Sequence, residues 1–511
     1  MVSAIQFARA RLTDGVVRAA GGTPLRFYLA LLIGLLAAIA AFRVVALALN
    51  GTDLYVDEAQ YWAWSQDPAF GYYSKPPLIA WIIAGATIVC GDGEFCVRLP
   101  AVGLHLATAF VLYLIGTRLY SEETGFWSAL TFATLPAVSL SSGIISTDVP
   151  LLLAWAIALL GLVELLKAPR PAAVLMLGLG LGLGLNAKYA MAYFVPCMAL
   201  FFLIAPDRLR LLRRGHIWAA LAIGLLLLLP NLAWNSANGF ATFAHTADNA
   251  RWSGLSIHPG KAAEFVLAQF GVFGPILFGT LVAIVWRARG RFSAMPESDR
   301  LLLAFSVPII LAVTAQGLIS RAHANWAAPA YIAASVLVTG VMVREQAWRW
   351  LAASQALHAL VAIALALATW QAGNFKLPLA GDPFARTLGN RELGQLVRET
   401  AAAGKAEGRP FGAILTHDRE LCAALLYYAR DLDVPAYAWK AVERPRDHFE
   451  LSRPFTGAAS APVLFVSSQP SADAITHKFG DVRPIGPRSL RAGAYAARDI
   501  TLFVLDDFQG G

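Results

Sequence analysis

Long apolar runs separated by short polar connectors dominate the first 370 residues of the chain. The runs recur from about residue 27 to about residue 370, and each has the roughly 17 to 25 residues that a helix needs to cross a bilayer. No soluble fold explains this repetition. The pattern therefore predicts an α-helical polytopic membrane protein with about 13 transmembrane helices.

Basic residues are concentrated in short connectors between the apolar runs. These connectors are residues 167–170, 208–214, 287–291 and 344–349. Because positively charged loops remain in the cytoplasm, we expect all of them on that side. The expected external side then holds Asp148, Lys188, residues 235–261 and 321–326, and everything after about residue 370.

The segment between the first external loop, residues 50–75, and Asp148 poses a counting problem. Both ends are expected outside, which requires an even number of crossings, whereas hydropathy alone gives an odd number. We predict that residues 123–147, interrupted at Pro136, form two short crossings or a re-entrant hairpin. Such irregular backbone is tolerated where protein lines a cavity.

The pattern after residue 370 is typical of a soluble domain. Short apolar runs at 411–416, 463–467 and 501–505 predict strands, and residues 420–430 predict a helix. We therefore divide the chain into a transmembrane domain, residues 1–370, and a C-terminal α/β domain, residues 371–511. The tail contains no glycine-rich nucleotide fingerprint.

Composition agrees with a membrane protein: 57% of the 511 residues are hydrophobic, 14% are charged, and the mean hydropathy is +0.57. The net charge of +8 does not indicate nucleic acid, because the basic residues lie beside apolar runs. The basic N-terminal segment predicts a retained anchor with a cytoplasmic start. The cysteines form no disulfide framework and are interpreted as structural. They are Cys90, Cys96, Cys197 and Cys422.

The first external loop carries the most informative group of polar residues. Asp57 and Glu58 follow Asp53, and the aromatic residues Tyr61, Trp62 and Trp64 come next. Transfer of a sugar to a hydroxyl needs a base for the acceptor proton, and a carboxylate at the membrane surface suits that role. Aromatic rings can stack on sugar faces. The alternative is that Asp57 caps a short interfacial helix whose tryptophans form a membrane-interface belt.

Further candidates are expected on the same side of the membrane. Lys75 can bind a lipid phosphate or extend to the headgroups, and Asp148 can serve chemistry or cap the following helix. Lys188 and Arg321 are cations that would stabilise a departing phosphate. His323 by itself is more often a structural histidine.

Two other polar segments are less informative. Residues 235–261, which include Arg251, form either a mobile cover over a site or a solvated connector. Polar residues of the tail form no recognisable triad or metal spacing, and we assign them no role. They include Asp382, His417, Asp418 and His448.

Five short motifs occur in a recognisable order: DEAQYW at 57–62, KPPL at 75–78, EFCVRL at 94–99, TDVP at 147–150 and KY at 188–189. In this order they resemble the GT-C glycosyltransferases, in particular the bacterial branch of the protein O-mannosyltransferase superfamily, which includes the lipid A aminoarabinose transferases. The likeness is strongest over roughly the first 200 residues. It implies a many-span fold with a periplasmic tail.

The resemblance also implies roles for particular residues. Asp57 becomes the catalytic carboxylate, with Asp148 a second acidic group and Glu58 beside it. The resemblance implies that Lys75 binds the carrier phosphate. It implies the same role less strongly for Lys188 and Arg251. The aminoarabinose transferases have a metal-associated glutamate before the lysine of KPPL, whereas this chain has Ser74. We therefore predict no metal ligands and leave the cofactor unknown.

These expectations combine into one function: transfer of a sugar from a polyprenyl-phosphate carrier to an extracytoplasmic lipid A, envelope glycan or protein. Tyr61, Arg321 and His323 complete the predicted substrate site, which would face the periplasm from a bacterial inner membrane. One alternative is a transporter or flippase of a lipid-linked sugar, with its charges along a translocation path. Another is a scaffold whose tail binds partners. Charges clustered at one membrane face, and few internal repeats, favour the enzyme.

Overall fold

The structure is a computed structural model that describes residues 24–250, 257–377, 381–471 and 473–510. The predicted N-terminal anchor segment ahead of residue 24 lies outside the described residues. The chain divides into two compact units, each assembled from separate segments. The first comprises Met1–Val45, Ala101–Leu232 and Ala247–Leu365, and the second comprises Ala46–Pro100, Ala233–Thr246 and Ala366–Gly511. The predicted boundary at residue 370 stays a prediction.

The first unit is helical, as the long apolar runs predict. Its α-helices, counting those that lie mainly within it, are Pro24–Ala48, Glu94–Leu119, Glu122–Thr134, Pro136–Ser141, Asp148–Lys167, Pro171–Ala187, Phe194–Ile204, Arg210–Arg213, His216–Ala237, Pro259–Val272, Pro275–Ala288, Glu297–Ala304, Val307–Ile319, Ala330–Arg344 and Trp348–Trp370. Short 3-10 turns connect some of them, at Tyr189–Tyr193, Pro206–Leu209, Phe292–Ala294 and Ala324–Ala327.

Six helices in the described part of the chain are long and apolar enough to cross a membrane. They are Phe27–Ala48, Glu94–Leu119, Asp148–Lys167, His216–Ala237, Glu297–Ile319 and Trp348–Trp370. Two bent helix pairs raise the number to as many as eight, and three shorter apolar helices accompany them. A multi-pass helical membrane protein is therefore confirmed, whereas the count of about 13 spans stays a prediction.

The Leu78–Cys90 helix does not have the dimensions of a crossing. Its 13 residues extend about 20 Å, less than the hydrocarbon core of about 30 Å. Near its start, Trp81 Nε1 donates to the carbonyl of Ala69 at 3.0 Å. Just beyond its end, Asp92 accepts from Trp62 Nε1 at 2.7 Å. Residues of the first loop thus hold both ends of this helix.

The predicted double crossing of residues 123–147 is wrong. Pro136 does interrupt the segment, because the Glu122–Thr134 helix ends before it and the Pro136–Ser141 helix begins with it. The two helices, however, together follow the Glu94–Leu119 helix in a single pass. Gly125 lies beside Gly116 near one end, and Ser141 Oγ lies 3.0 Å from His105 Nε2 farther along. Residues 122–141 therefore follow that helix in a single pass that is broken at Pro136.

Glycines allow the Asp148–Lys167 and Pro171–Ala187 helices to approach closely. A Cβ atom added to Gly180 would lie 2.6 Å from the backbone nitrogen of Ala158. A Cβ on Gly161 would lie 2.5 Å from the backbone nitrogen of Leu177. Small residues that let backbones meet drive helix association in membranes, where the hydrophobic effect between helices is missing. This pair fixes the position of Asp148 and of the turn that follows Ala187.

The second unit combines the first loop with the C-terminal α/β domain. Its helices are Val56–Ser65, Leu78–Cys90, Asn390–Ala406, Arg419–Tyr428, His448–Ser452 and Asp473–Thr476, with most of Ala241–Ala250 and the 3-10 turn Ala385–Thr387. Its strands are β1 (Ala413–Thr416), β2 (Ala436–Ala438), β3 (Val463–Ser467), β4 (Phe479–Arg491) and β5 (Ala497–Phe508).

The five strands form one mixed sheet in the order β2-β1-β3-β5-β4. β1 pairs in parallel with β2 and β3, and β5 pairs antiparallel with β3 and β4. Leu415, Phe465 and Phe503 belong to its buried core. The predicted strands and the helix near residues 420–430 are confirmed. The strand β4 was not predicted, since Pro484 and Pro487 interrupt its pattern, and prolines are tolerated there because β4 is an edge strand.

Substitution of Gly180 tests the close helix approach. Gly180→Ala should lower the free energy of unfolding in detergent by about 1–3 kcal/mol, because the new methyl group meets backbone atoms that cannot yield. Gly103→Ala is the matched control, since a Cβ on Gly103 meets nothing within 4 Å. It should leave stability unchanged or raise it by up to about 1 kcal/mol. Equal melting temperatures for the two variants would contradict the packing described.

Candidate active site

The first loop folds into the Val56–Ser65 helix, and its start is fixed by Glu58. The carboxylate of Glu58 accepts a hydrogen bond from the backbone nitrogen of Tyr55 at 2.9 Å. The aromatic residues lie on the buried side: Tyr61 is 3% exposed and Trp64 is 1% exposed. The alternative in which Asp57 caps this helix is therefore wrong, since Glu58 satisfies the backbone there. Tyr61 packs against Trp64, with ring centroids 5.2 Å apart.

Glu58 is also half of a buried ion pair. Arg98 Nε and Nη2 donate to its two carboxylate oxygens at 2.9 and 2.7 Å, and both side chains are almost fully buried. The same guanidinium donates to the backbone carbonyls of Thr52 and Asp53. This carboxylate is thus occupied by structural partners. A catalytic role for Glu58 and a sugar-stacking role for Tyr61 stay predictions that this burial does not favour.

Asp57 differs from its neighbour in being accessible. Its side chain is 45% exposed, and its Oδ1 accepts a hydrogen bond from Arg419 Nη1 at 2.9 Å. The same Arg419 nitrogen donates to Gln60 Oε1 at 3.1 Å. Among the described residues, none donates a hydrogen bond to Asp57 Oδ2. Asp57 therefore presents one anchored oxygen and one oxygen available to a substrate hydroxyl.

Arg419 reaches Asp57 because of how the α/β domain docks on the first loop. It is the first residue of the Arg419–Tyr428 helix, which follows β1 and is capped by the Asp418 carboxylate, 2.7 Å from the nitrogen of Glu420. At the other end of the helix, Tyr427 and Tyr428 pack on the loop. Burial acts to lower the pKa of Arg419, but Asp57, Tyr61 and Asp447 act together to raise it, and the net pKa lies above its usual value.

A second carboxylate of the loop, Asp53, is enclosed by the α/β domain. It accepts hydrogen bonds from the backbone nitrogens of Asn390 and Arg391, and Arg391 Nε lies 3.2 Å from it. Arg391 also forms an ion pair with Glu94, so the positive charge of Arg391 is shared between two carboxylates. Burial raises the pKa of Asp53 to about 6, and Arg391 offsets only part of this effect.

Asp148 and Lys188 form a polar cluster in the first unit, together with Asn325. Lys188 Nζ donates to Asp148 Oδ1 at 2.7 Å, and Asn325 Nδ2 donates to Asp148 Oδ2 at 2.8 Å. The interpretation of Asp148 as a side-chain cap is wrong, because Thr147 occupies the cap position and no side-chain bond closes the helix end. Roles for these residues in catalysis or substrate binding stay predictions.

The other predicted residues of that unit surround this cluster in part. Arg321 Nη2 donates to Asn249 Oδ1 at 2.8 Å. Burial lowers the pKa of His323, and the charges of Arg321 and Lys188 lower it further. His323 also contacts Trp326 edge to face. Burial and the nearby cations therefore both disfavour the charged form of His323.

The remaining predicted contacts are less informative. The backbone carbonyl of Lys75 accepts a hydrogen bond from the nitrogen of Tyr72, so the KPPL turn is ordered, and the phosphate-binding role of Lys75 stays a prediction. Arg251 lies outside the described residues. In the described part of the chain, no group of three or more His, Cys, Asp or Glu side chains could hold a metal ion. Ser74 supplies no carboxylate at the position before Lys75.

The cysteine prediction was partly wrong. Cys90 and Cys96 form a disulfide around the Gly91–Gly93 turn, whereas Cys197 and Cys422 are free and buried. The turn carries Asp92, whose backbone carbonyl accepts a hydrogen bond from Tyr427 at 2.6 Å. The disulfide closes this turn and is consistent with the structural interpretation of Cys90 and Cys96.

Several site residues were missed in the sequence because nothing local identifies them. Arg419 follows Asp57 by 362 positions, and no pattern in the tail points to the first loop. Arg391 follows Asp53 by 338 positions. Arg98 and Asn325 had weak signals, since Arg98 lies in the EFCVRL motif and Asn325 in the polar segment 321–326.

Comparisons with known proteins agree with this architecture. A family model for dolichyl-phosphate-mannose-protein mannosyltransferases matches residues 74–234. The lipid A galacturonosyltransferase RgtD of Rhizobium johnstonii is 36% identical over 429 residues, which cover 83% of this chain and 88% of that protein. The lipopolysaccharide core galacturonosyltransferase RgtA of the same organism is 27% identical over 210 residues, 40% of this chain and 41% of that protein.

Solved structures show the same fold. Apo ArnT from Cupriavidus metallidurans matches with a TM-score of 0.66 at 13% identity, covering 94% of this chain and 98% of that chain. ArnT bound to undecaprenyl phosphate matches with a TM-score of 0.64 at 15% identity, covering 92% and 97%. The chain therefore belongs to the bacterial GT-C glycosyltransferases of the protein O-mannosyltransferase superfamily. It is a multi-pass membrane glycosyltransferase, as the motif order implies.

The pH dependence of stability tests the burial of Asp53. Because the pKa of this group is raised from 3.8 to about 6, the folded state holds an extra proton between those values. Below pH 4 this group contributes about 3 kcal/mol to the free energy of unfolding. The contribution is lost as pH rises through 6. Asp53→Asn cannot titrate. The melting-temperature advantage of the wild type over this variant should shrink from pH 4 to pH 7, and a constant difference would contradict the assignment.

Proposed function

We propose that this protein transfers a galacturonosyl residue from a polyprenyl-phosphate carrier to lipid A or another lipopolysaccharide glycan. The observation that carries the proposal is the similarity to a lipid A galacturonosyltransferase over 83% of this chain and 88% of that protein. The resemblance to ArnT, whose structure was solved with undecaprenyl phosphate, supports a polyprenyl-phosphate donor through the shared fold. A protein acceptor has no comparable support.

The proposed location is the bacterial inner membrane, with the first loop and the α/β domain in the periplasm. Basic connectors of the first unit support this orientation by the positive-inside rule. One of them lies beside the end of the Glu94–Leu119 helix, since Lys167 Nζ donates a hydrogen bond to the Arg118 carbonyl. The Cys90–Cys96 disulfide supports an oxidising environment for the opposite end of that helix.

The proposed chemistry is a single displacement at the anomeric carbon. The acceptor hydroxyl oxygen forms a bond to this carbon while the bond from the carbon to the phosphate oxygen breaks. The bonding electrons leave with the polyprenyl phosphate, and the hydroxyl proton passes to Asp57 Oδ2. Lys75, in the same unit as Asp57, is the cation proposed to stabilise the departing phosphate. Lys188, which the Asp148 carboxylate of the first unit holds at 2.7 Å, is proposed separately as a substrate-binding cation.

Purified protein in detergent tests this function directly. Polyprenyl-phosphate galacturonic acid and lipid A are supplied, and transfer is followed by mass spectrometry. Asp57→Asn should lower kcat about 100-fold or more, the usual contribution of a general base. Asp67→Asn is the matched control, an exposed aspartate of the same loop, and should leave turnover unchanged.

Two outcomes would contradict the proposal. Equal turnover by wild type and Asp57→Asn would remove Asp57 from the reaction. No transfer by the wild type from this donor, with transfer from a neutral or amino-sugar donor, would overturn the sugar assignment while leaving the glycosyltransferase intact. A transporter or flippase would show no transfer in detergent with any donor.

A further inference from the structure

We propose that Arg419 of the C-terminal α/β domain is a positioning residue for the Asp57 carboxylate. The inference rests on the proposed function, in which Asp57 takes the proton of the acceptor. It assigns to the α/β domain a part in the transfer step, in addition to its role as a folded tail.

The contact geometry supports a positioning role. Arg419 Nη1 lies 2.9 Å from Asp57 Oδ1 and 3.1 Å from Gln60 Oε1. Asp57 and Gln60 are three residues apart, so they are neighbours on one face of the Val56–Ser65 helix. Gln60 is buried, at 1% exposure. A guanidinium bound to both groups therefore ties the exposed Asp57 side chain to a fixed point of the helix.

This arrangement differs from an ordinary surface ion pair. An exposed ion pair contributes little to stability when both side chains lose conformational entropy solely to form that pair. Here the helix that carries Arg419 is already fixed against the first loop. Tyr428 OH donates to Glu94 at 2.5 Å, and the Tyr427 ring meets Trp62 edge to face at 4.9 Å. These contacts hold the helix that carries Arg419 against the first loop independently of the ion pair.

The chemistry needs an oriented carboxylate. Only one oxygen of Asp57 can face the hydroxyl proton, and a misplaced base lowers the rate steeply because proton transfer depends on hydrogen-bond geometry. Holding Oδ1 leaves Oδ2 for the acceptor. Arginine remains protonated in proteins, so Arg419 neither gives nor takes a proton during transfer. Its contribution is the orientation of Asp57, and its planar fork supplies directions that a lysine ammonium does not fix.

Kinetics of purified variants test the inference. Arg419→Gln should lower kcat by about 10- to 100-fold, with the KM for the lipid-linked donor within about twofold of wild type. Arg419→Lys keeps the positive charge, and its kcat should lie between those of wild type and Arg419→Gln. Arg483→Gln is the matched control, because Arg483 is a similarly exposed arginine of the same domain whose partners, Asp481 and Asp506, lie outside the proposed site. It should keep wild-type kcat.

A double-mutant cycle separates positioning from an independent contribution. If Arg419 acts through Asp57, adding Arg419→Gln to Asp57→Asn should cost no further activity, since coupled residues are not additive. If the fold-losses in activity of the two single variants multiply in the double variant, the inference is overturned. Wild-type kcat in Arg419→Gln would also overturn it. If the residual rate of Asp57→Asn is too low to measure, the separate effects of Arg419→Gln on kcat and on KM test the positioning role. Melting temperatures show whether the variants are folded.

The remaining outcomes are also decisive. If Arg419→Gln does not fold, wild-type kcat in Arg419→Lys overturns the requirement for a guanidinium, and a reduced kcat at unchanged KM supports it. An equal loss in Arg483→Gln would assign the effect to general damage of the domain. Wild-type activity in Asp57→Asn would defeat the proposed chemistry itself, whereas an inactive Asp57→Asn with an active Arg419→Gln defeats only the positioning role.

Discussion

The buried ion pair between Glu58 and Arg98 is the interaction on which the rest of the second unit depends. Both side chains are removed from water, and their charges are balanced by each other and by backbone groups of the first loop. Removing either partner of such a pair leaves an uncompensated buried charge, at a cost of about 3–5 kcal/mol. The pair joins the loop to the start of the Glu94–Leu119 helix. Because Asp57 directly precedes Glu58, its position follows from this constraint.

The three carboxylates of the first loop illustrate how surroundings assign different tasks to one functional group. Glu58 is neutralised by a buried arginine, and Asp53 is enclosed by the start of the Asn390–Ala406 helix with a raised pKa. Asp57 keeps water access and one oxygen without a described protein donor. The Glu58 carboxylate therefore stabilises the fold through its ion pair, the ionised form of Asp53 is disfavoured by burial, and Asp57 is available for chemistry.

The α/β domain is continuous with this loop in packing as well as in charge. Its residues Arg391, Arg419 and Tyr428 bind loop residues directly. Hydrogen bonds of this kind need partners fixed to within a few tenths of an ångström, which a flexibly tethered domain would not supply. The similarity to a lipid A galacturonosyltransferase covers most of both chains, as expected if loop and domain form a single working structure.

The sequence by itself determined the features that depend on local pattern: apolar helices of membrane length, the interruption at Pro136, the β1, β3 and β5 strands, and the motif order that implies the family. Hydropathy could not decide whether the Leu78–Cys90 helix crosses, because apolar composition is the same in a crossing helix and a short one held at both ends. Nor could it distinguish Asp57 from Glu58, which are adjacent in sequence but opposite in burial. Only tertiary structure decides which carboxylate meets Arg98 and which meets Arg419, because these partners lie 40 and 362 positions away and burial is set by what packs there.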